Sequence, residues 1–293
     1  MNRNFVIFNP VARGDKSRRL RAFLEQRVGE DSRLTLLPTT RAGEATRLAA
    51  QAVADGASLV VAAGGDGTIN EVVNGIAGHD VTLGVLPLGT VNVLARELGI
   101  PLSLRQSWEL LRSGRTRTID LGCATAQGRQ RYFVQLAGVG LDAWAVRHAS
   151  WELKKRIGPL SYVWAGLKTL RQALPDVLVE ASSPASGPAV LVGNGRFYGG
   201  SFPMFPQARM DDGLLDVCVF EKGGYGDVMR YGAAMLRGGR HVKLPDVHYV
   251  RVSEFLCSSP AEVTPFELDG EDAGNGPVRF HVLPSALRIV SVR

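Results

Sequence analysis

Cysteine is scarce: Cys123, Cys218 and Cys257 are the only three in 293 residues, and they stand far apart. An odd, widely spaced set makes neither a disulfide framework nor a zinc site, and it fits a reducing cytoplasm. Long apolar runs are missing as well. No stretch approaches the roughly 18 uninterrupted apolar residues of a transmembrane helix. The opening Met1-Asn2-Arg3-Asn4-Phe5 lacks a signal peptide's apolar core, and Asn9-Pro10 ends the run too soon. No basic run with interleaved aromatics occurs, so nucleic acid is not an expected partner. Internal repeats and low-complexity tracts are absent from the sequence. Charge is only mildly one-sided, with 34 Lys and Arg against 28 Asp and Glu and a formal net charge of +6. That balance suits an anionic nucleotide or an anionic membrane surface.

What is present is concentrated between Leu59 and Gly75, LVVAAGGDGTINEVVNG. An apolar strand stops at Gly64-Gly65-Asp66-Gly67-Thr68, and a helical pattern with Ile69, Val72, Val73 and Ile76 begins. Such a turn exposes backbone N–H groups at a helix N-terminus, where phosphate binds well, and glycine lets the backbone come close. Asp66 is the odd member. A carboxylate facing phosphates is repelled unless a cation or proton lies between them, which points to a magnesium nucleotide. Thr82-Leu83-Gly84-Val85-Leu86-Pro87-Leu88-Gly89-Thr90-Val91-Asn92 repeats the same logic. Phe5–Phe8 is a third strand, ending in a turn at Asn9-Pro10, with Arg13, Lys16, Arg18 and Arg19 after it. Polar loops at the carboxyl ends of parallel strands are where open α/β sheets bind ligands.

Strand and helix alternate through the first part. Strands are expected at Phe5–Phe8, Arg33–Leu37, Leu59–Ala63 and Leu83–Leu86, helices at Lys16–Val28 and Ala42–Ala54, and a short helix at Trp108–Leu111. This predicts a parallel sheet with flanking helices over residues 1–120. Residues 121–293 are β-rich, with segments at Tyr132–Leu136, Val177–Glu180, Ala189–Val192, Leu214–Phe220, His248–Phe255 and Val278–Val282. Frequent Gly and Pro between them predict an antiparallel sandwich or barrel. A helical insert over 142–174 interrupts that half. It mixes Trp144, Trp151, Tyr162 and Trp164 with Arg147, Lys154, Lys155, Arg156, Lys168 and Arg171. The mixture suits a membrane-touching surface, and equally an insert packed between domains with its bases solvated.

GGDGTINEVVNG followed by LGVLPLGTVNVLAREL resembles the diacylglycerol kinase catalytic family, in particular its soluble bacterial, YegS-like lipid kinases. The likeness continues through Gly138-Val139-Gly140-Leu141-Asp142-Ala143 and Val192-Gly193-Asn194-Gly195. It runs on through Gly199-Gly200, Pro206-Gln207-Ala208, Asp211-Asp212-Gly213-Leu214-Leu215-Asp216-Val217 and Leu268-Asp269-Gly270-Glu271. It spans Asn9 to Glu271. The resemblance implies an NAD-kinase-like or diacylglycerol-kinase-like α/β domain joined to a β-sandwich domain, the final segment Leu287–Val292 returning to the first. It also implies an ATP- and Mg²⁺-dependent kinase that phosphorylates a hydroxyl of a membrane lipid such as diacylglycerol or phosphatidylglycerol.

Such an enzyme needs a nucleotide cradle, a metal and a base. Gly64, Gly65, Gly67 and Thr68, with Ile69 and Asn70 behind them, are the expected phosphate contacts, completed by Asn9, Pro10, Arg13 and Thr90. By resemblance Thr39, preferred over Thr40 on its spacing to Gly43, joins them. The loop Asn9–Gly14 departs from the family in carrying Ala12 and Arg13, so Arg13 offers charge where backbone is usual. Asp66 is assigned to the catalytic Mg²⁺, through water. Glu267, Asp269 and Glu271, spaced i, i+2, i+4, would share one face of an extended strand and raise one another's pKa. An ordinary hairpin turning at Asp269-Gly270 is the competing reading.

The family places its base at Glu271, with Asp269 beside it, while Asp66 is the base in the related sphingosine kinases. By resemblance Asp212, with the carbonyls of Arg209 and Leu214, would bind a structural Mg²⁺ or Ca²⁺, and a plain turn is the alternative. A peripheral visit to the membrane from the cytoplasmic side follows from a lipid substrate, and a homodimer is left open. The cleft between the two domains is the expected meeting place of ATP and lipid. The rivals are an NAD kinase, which shares GGDG, and a binding protein without turnover.

Overall fold

The computed structural model describes residues 3–10, 17–148, 175–260 and 263–292. Arg13 and most of the predicted insert, 149–174, lie outside the described residues. The chain divides into two compact units, Met1–Ile119 with Ser285–Arg293, and Asp120–Pro284.

In the first unit, β1 (Arg3–Phe8), α1 (Ser17–Gly29), β2 (Leu34–Pro38), α2 (Glu44–Ala54), β3 (Ala57–Gly64), α3 (Asp66–Ile76) and β4 (Thr82–Pro87) alternate as the apolar rhythm predicts. A short α4 (Val93–Glu97) and a longer α5 (Leu104–Ser113) follow. The strands lie in the order β2-β1-β3-β4, all parallel. Beyond β4 the chain's last strand adds a parallel edge, pairing Arg288 with Thr82 and Ile289 with Leu83. Val60, Ala62, Ala63, Leu83 and Leu86 are fully buried, as a parallel sheet covered on both faces requires. Leu20, Leu24 and Trp108 from α1 and α5 close one face over Val6, Phe8 and Val61. On α3, a Cβ at Gly75 would meet the Thr46 carbonyl oxygen at 2.5 Å and the Ala49 methyl at 2.6 Å. Glycine there lets α2 and α3 pack almost backbone to backbone.

The second unit is antiparallel. Its strands are β5 (Thr116–Ala126, which begins within the first unit), β6 (Arg129–Phe133), β7 (Leu136–Gly140), β8 (Val177–Glu180), β9 (Ala185–Gly187), β10 (Ala189–Gly193), β11 (Phe197–Tyr198), β12 (Phe202–Pro203) and β13 (Leu215–Phe220). They continue as β14 (Val247–Val252), β15 (Glu254–Ser258), β16 (Pro265–Leu268), β17 (Glu271–Asn275) and β18 (Val278–Val290), with helices α6 (Leu141–His148) and α7 (Tyr225–Leu236). One sheet runs β14-β13-β10-β7-β16-β17. Against it lie β8, β15 and the start of β18, with the β5–β6 hairpin. Val139, Val190, Val217, Leu268, Phe133, Phe255 and Phe280 fill the space between, the interior of a sandwich.

Two segments depart from the sequence pattern. Tyr132–Leu136 and His248–Phe255 each read as one strand, yet each is two. The first breaks because the backbone N–H groups of Val134, Gln135 and Leu136 turn to a side chain instead of a neighbouring strand. The second breaks at Ser253, after which β15 pairs with β8 and β18, whereas β14 pairs with β13.

Candidate functional site

The first unit brings three loops together at the carboxyl ends of β1, β3 and β4. Asn9 follows β1 and donates its N–H to the Ala63 carbonyl at 3.0 Å. Its side-chain Nδ2 donates to Thr68 Oγ1 at 3.2 Å, which ties the first turn to α3. The Leu88 N–H donates to the Gly64 carbonyl at 2.8 Å, tying the second glycine loop to the first. Glycine lets these loops come close. A Cβ on Gly89 would lie 2.7 Å from the Gly65 Cα, and one on Gly64 would lie 2.5 Å from Thr68 Oγ1. Only residues without side chains permit so close a crossing.

α3 begins at Asp66, and no side chain caps its Gly65 N-cap. Its first-turn N–H groups and its dipole therefore present a site of the kind that attracts phosphate. Thr68 and Asn70 are buried beneath the loop. Thr39 is buried too, and its N–H donates to the Phe8 carbonyl at 2.9 Å. Thr40, by contrast, is engaged by Glu44, whose Oε2 accepts from both the Thr40 N–H and hydroxyl. Pro10 follows Asn9 in the turn, and Thr90 is exposed on the second loop.

Asp66 does more than face the loops. Its Oδ1 accepts the Val93 N–H at 2.7 Å and so caps the start of α4. The same corner holds Asn92, whose backbone has φ 54. Its side chain both accepts the Gly89 N–H and donates to the Gly89 carbonyl, each at 2.8 Å. Asn92 and Gly89 thus shape the cradle, although neither stood among the expected contacts. The signal was the PLGTVN segment itself, since Asn is among the residues that tolerate a positive φ. Among the described residues no group of three or more His, Cys, Asp or Glu could hold a metal. Mg²⁺ in a phosphoryl-transfer site is held by one or two carboxylates, water and the substrate's own phosphates. The partly exposed Asp66 fits that role.

In the second unit the three expected acidic residues do not share an extended face. Asp269 and Gly270 both have positive φ, 49 and 84, and Leu268 pairs with Glu271 across them. This is a two-residue hairpin, with β16 before it and β17 after it. Turn chemistry overrides the alternation expected from the spacing, and the three carboxylates part company. Asp269 Oδ1 accepts from the Gln135 and Leu136 N–H groups at 2.9 and 3.0 Å, and Oδ2 accepts from Val134 at 2.8 Å. Glu267 is fully buried. Glu271, at the start of β17, keeps partial exposure. Asp272 is salt-bridged to Arg147 at 2.7 Å. Burial would raise its pKa, but the Arg147 guanidinium outweighs that and holds the carboxyl below the usual range.

At the expected structural cation site Asp212 has protein partners. Arg251 donates to Asp212 Oδ2 and lies 3.4 Å from Asp216 Oδ1. Tyr249 donates to that same Asp216 oxygen. The Leu214 N–H donates to Asp212 Oδ1 at 3.2 Å, and Arg209 pairs with Asp211. The Asp212 carboxylate is thus shared between a guanidinium and the N–H of its own turn.

Comparison with known proteins places these features. Residues 3–124 match the model of the diacylglycerol kinase catalytic domain. Residues 135–291 match that of the YegS C-terminal NAD kinase beta sandwich-like domain. A probable lipid kinase, YegS-like, from Pseudomonas aeruginosa (strain UCBPP-PA14) is 35% identical over 87% of this chain and 84% of its own. A diacylglycerol kinase from Bacillus subtilis (strain 168) is 31% identical over 99% of this chain and 96% of its own. A solved structure from Bacillus anthracis str. Sterne shares the fold with a TM-score of 0.79 at 24% identity, over 99% of this chain and 97% of that one.

Proposed function

The chain belongs to the diacylglycerol kinase family of lipid kinases, and we propose that it moves the γ-phosphoryl group of ATP to a hydroxyl of a membrane lipid. Diacylglycerol and phosphatidylglycerol are the acceptors of first interest. The observation that carries this reading is the cradle of crossed glycine loops at the start of α3, with Asp66 at its mouth.

In the proposed reaction the β- and γ-phosphates lie against the backbone of Gly64, Gly65, Gly67 and Thr68. Asn9, Pro10, Thr39, Ile69, Asn70 and Thr90 complete the pocket wall, and Arg13 adds positive charge. Asp66 would hold a Mg²⁺, which would supply neutralising charge for the phosphates. The lipid oxygen bonds to the γ-phosphorus, the bridging bond to the β-phosphate breaks, and ADP leaves. Glu271 takes the hydroxyl proton. Asp269 serves it indirectly, by fixing the hairpin with three backbone hydrogen bonds. Positioning and fixed charge do most of the work in such a transfer. Among the described residues no helix is long and apolar enough to cross a membrane.

The test is transfer of radiolabel from γ-labelled ATP, with Mg²⁺, into a panel of lipids in mixed micelles. Wild type, Asp66→Ala and Glu271→Ala would be compared. A lipid labelled by wild type and by neither variant is the expected result and names the acceptor. Label entering NAD instead would move the assignment to an NAD kinase. No transfer to any acceptor would leave a binding protein.

A further inference from the structure

Glu267 sits on β16 with its residue fully buried, yet its Oε1 has no N–H or O–H donor against it. What faces it is another acid. The point where a Cβ would stand on Gly138 lies 3.0 Å from Glu267 Oε1 and 2.5 Å from Asp142 Oδ2. Glycine at 138, paired with Glu267 across β7 and β16, leaves room for the two carboxyl groups to meet. Asp142 Oδ1 accepts the Tyr198 hydroxyl, and Glu267 Oε2 accepts the Gly270 N–H at 2.6 Å. Two anions without a cation cannot remain so placed in a low dielectric, and the ordinary resolution is one shared proton.

We infer that Glu267 and Asp142 share one proton as a buried acid–carboxylate pair, and that this pair positions the turn presenting Glu271. The acid hydrogen lies on Glu267 and is donated to Asp142, which Tyr198 helps to keep anionic. Burial, then the charge of Asp142, drives the Glu267 carboxyl well above its usual pKa. Burial raises that of Asp142 as well, opposed by the bonds from Tyr198 and Glu267. The remaining Glu267 oxygen holds the peptide N–H of Gly270, one residue before Glu271. The negative charge of Asp269 on the same turn adds to the rise at Glu267, whereas Arg147 is committed to Asp272 and Asn275. Glu267 is therefore a positioning residue, acting through the turn. The inference rests on Glu271 being the base.

The experiment compares Glu267→Gln, Glu267→Ala and Glu271→Gln in the lipid-transfer assay. Infrared spectra of wild type and Glu267→Gln are taken near neutral pH. Glutamine copies a protonated glutamate: it donates to Asp142 through its amide and accepts from Gly270 through its carbonyl. The expected result is a fall in kcat of about tenfold or more in Glu267→Ala with KM for ATP nearly unchanged, and recovery of most of that loss in Glu267→Gln. Wild type should show the C=O stretch of a protonated carboxylic acid, absent from Glu267→Gln. Should Glu267→Ala fail to fold, the glutamine variant and the infrared band still decide. Loss of transfer in Glu267→Gln, or no such band in wild type, would overturn the pair. Full activity in Glu271→Gln would instead refute the base assignment, and the band would report on the shared proton separately.

Discussion

Asp66 has one observed role and one proposed role, and a pair of substitutions can separate them. Its Oδ1 caps α4 through the Val93 N–H at 2.7 Å, and the proposed reaction also asks it to hold Mg²⁺. Asp66→Ala removes both. Losing a side-chain cap costs about 0.5–2 kcal/mol, and α4 spans only Val93–Glu97 after the strained Asn92, so the upper half of that range applies. At roughly 2–4 °C per kcal/mol for a domain of this size, Tm should fall by about 2–8 °C. Asp66→Asn keeps an oxygen in place for Val93 and loses only the charge.

A charge-assisted hydrogen bond is about twice as strong as a neutral one, so the asparagine variant should lose about half as much Tm or less. Its activity should nonetheless collapse. Loss of the charge that holds the metal is expected to lower kcat/KM by about 100-fold, or ~2.7 kcal/mol at the transition state. The assay is γ-phosphoryl transfer at MgATP concentrations spanning KM, run well below the Tm of each variant, beside differential scanning calorimetry. Transfer by Asp66→Asn within a few-fold of wild type would refute the metal role and leave Asp66 as a cap.

Other substitutions probe the remaining parts. Gly89→Ala puts a methyl 2.7 Å from the Gly65 Cα and 2.8 Å from Asn92 Oδ1; it should cost about 1–3 kcal/mol and raise KM for ATP by about tenfold, as steady-state kinetics would show. Gly226→Ala, whose Cβ would meet nothing within 4 Å, is the matched control and should leave KM unchanged. Asp269→Ala strands three backbone donors, at about 1–3 kcal/mol each, and calorimetry should find a Tm lower by about 6 °C or more. Asp246 is held down to about 2, chiefly by its bond from Arg230. Because that pKa is depressed in the fold, the stabilisation is present above the ordinary carboxylate value and is lost as pH falls toward about 2. The Tm gap between wild type and Asp246→Asn should therefore be open near neutrality and close on acidification, as thermal melts across that range would show.

The parts legible in the sequence are those whose cause is contiguous. LVVAAGGDGT carries its strand, its turn and its helix start side by side, so β3, the glycine loop and α3 could be placed without a structure. The same holds for the alternation of the first unit and the β-rich texture of the second. What could not be read depends on partners far apart in the chain. The break in Tyr132–Leu136 is made by Asp269, more than 130 residues later, whose carboxylate takes the N–H groups that a continuous strand would have used. The capping of α4 by Asp66 spans 27 residues and two loops. The meeting of Glu267 with Asp142 needs β7 and β16 to pair first, with glycine at the point of contact.

Spacing suggested three equivalent carboxylates in Glu267, Asp269 and Glu271. The hairpin gives each a different set of neighbours, and hydrogen-bond chemistry then separates their roles. Asp269 gives its two oxygens to three backbone N–H donors, which commits it to holding the hairpin. Glu267 receives one N–H and faces another acid, so it must keep a proton and cannot take a second one from a substrate. Glu271, like Asp269, is partly exposed, whereas Glu267 is sealed from solvent. Access to solvent thus separates Glu271, the proposed base, from Glu267, where spacing alone had made them alike.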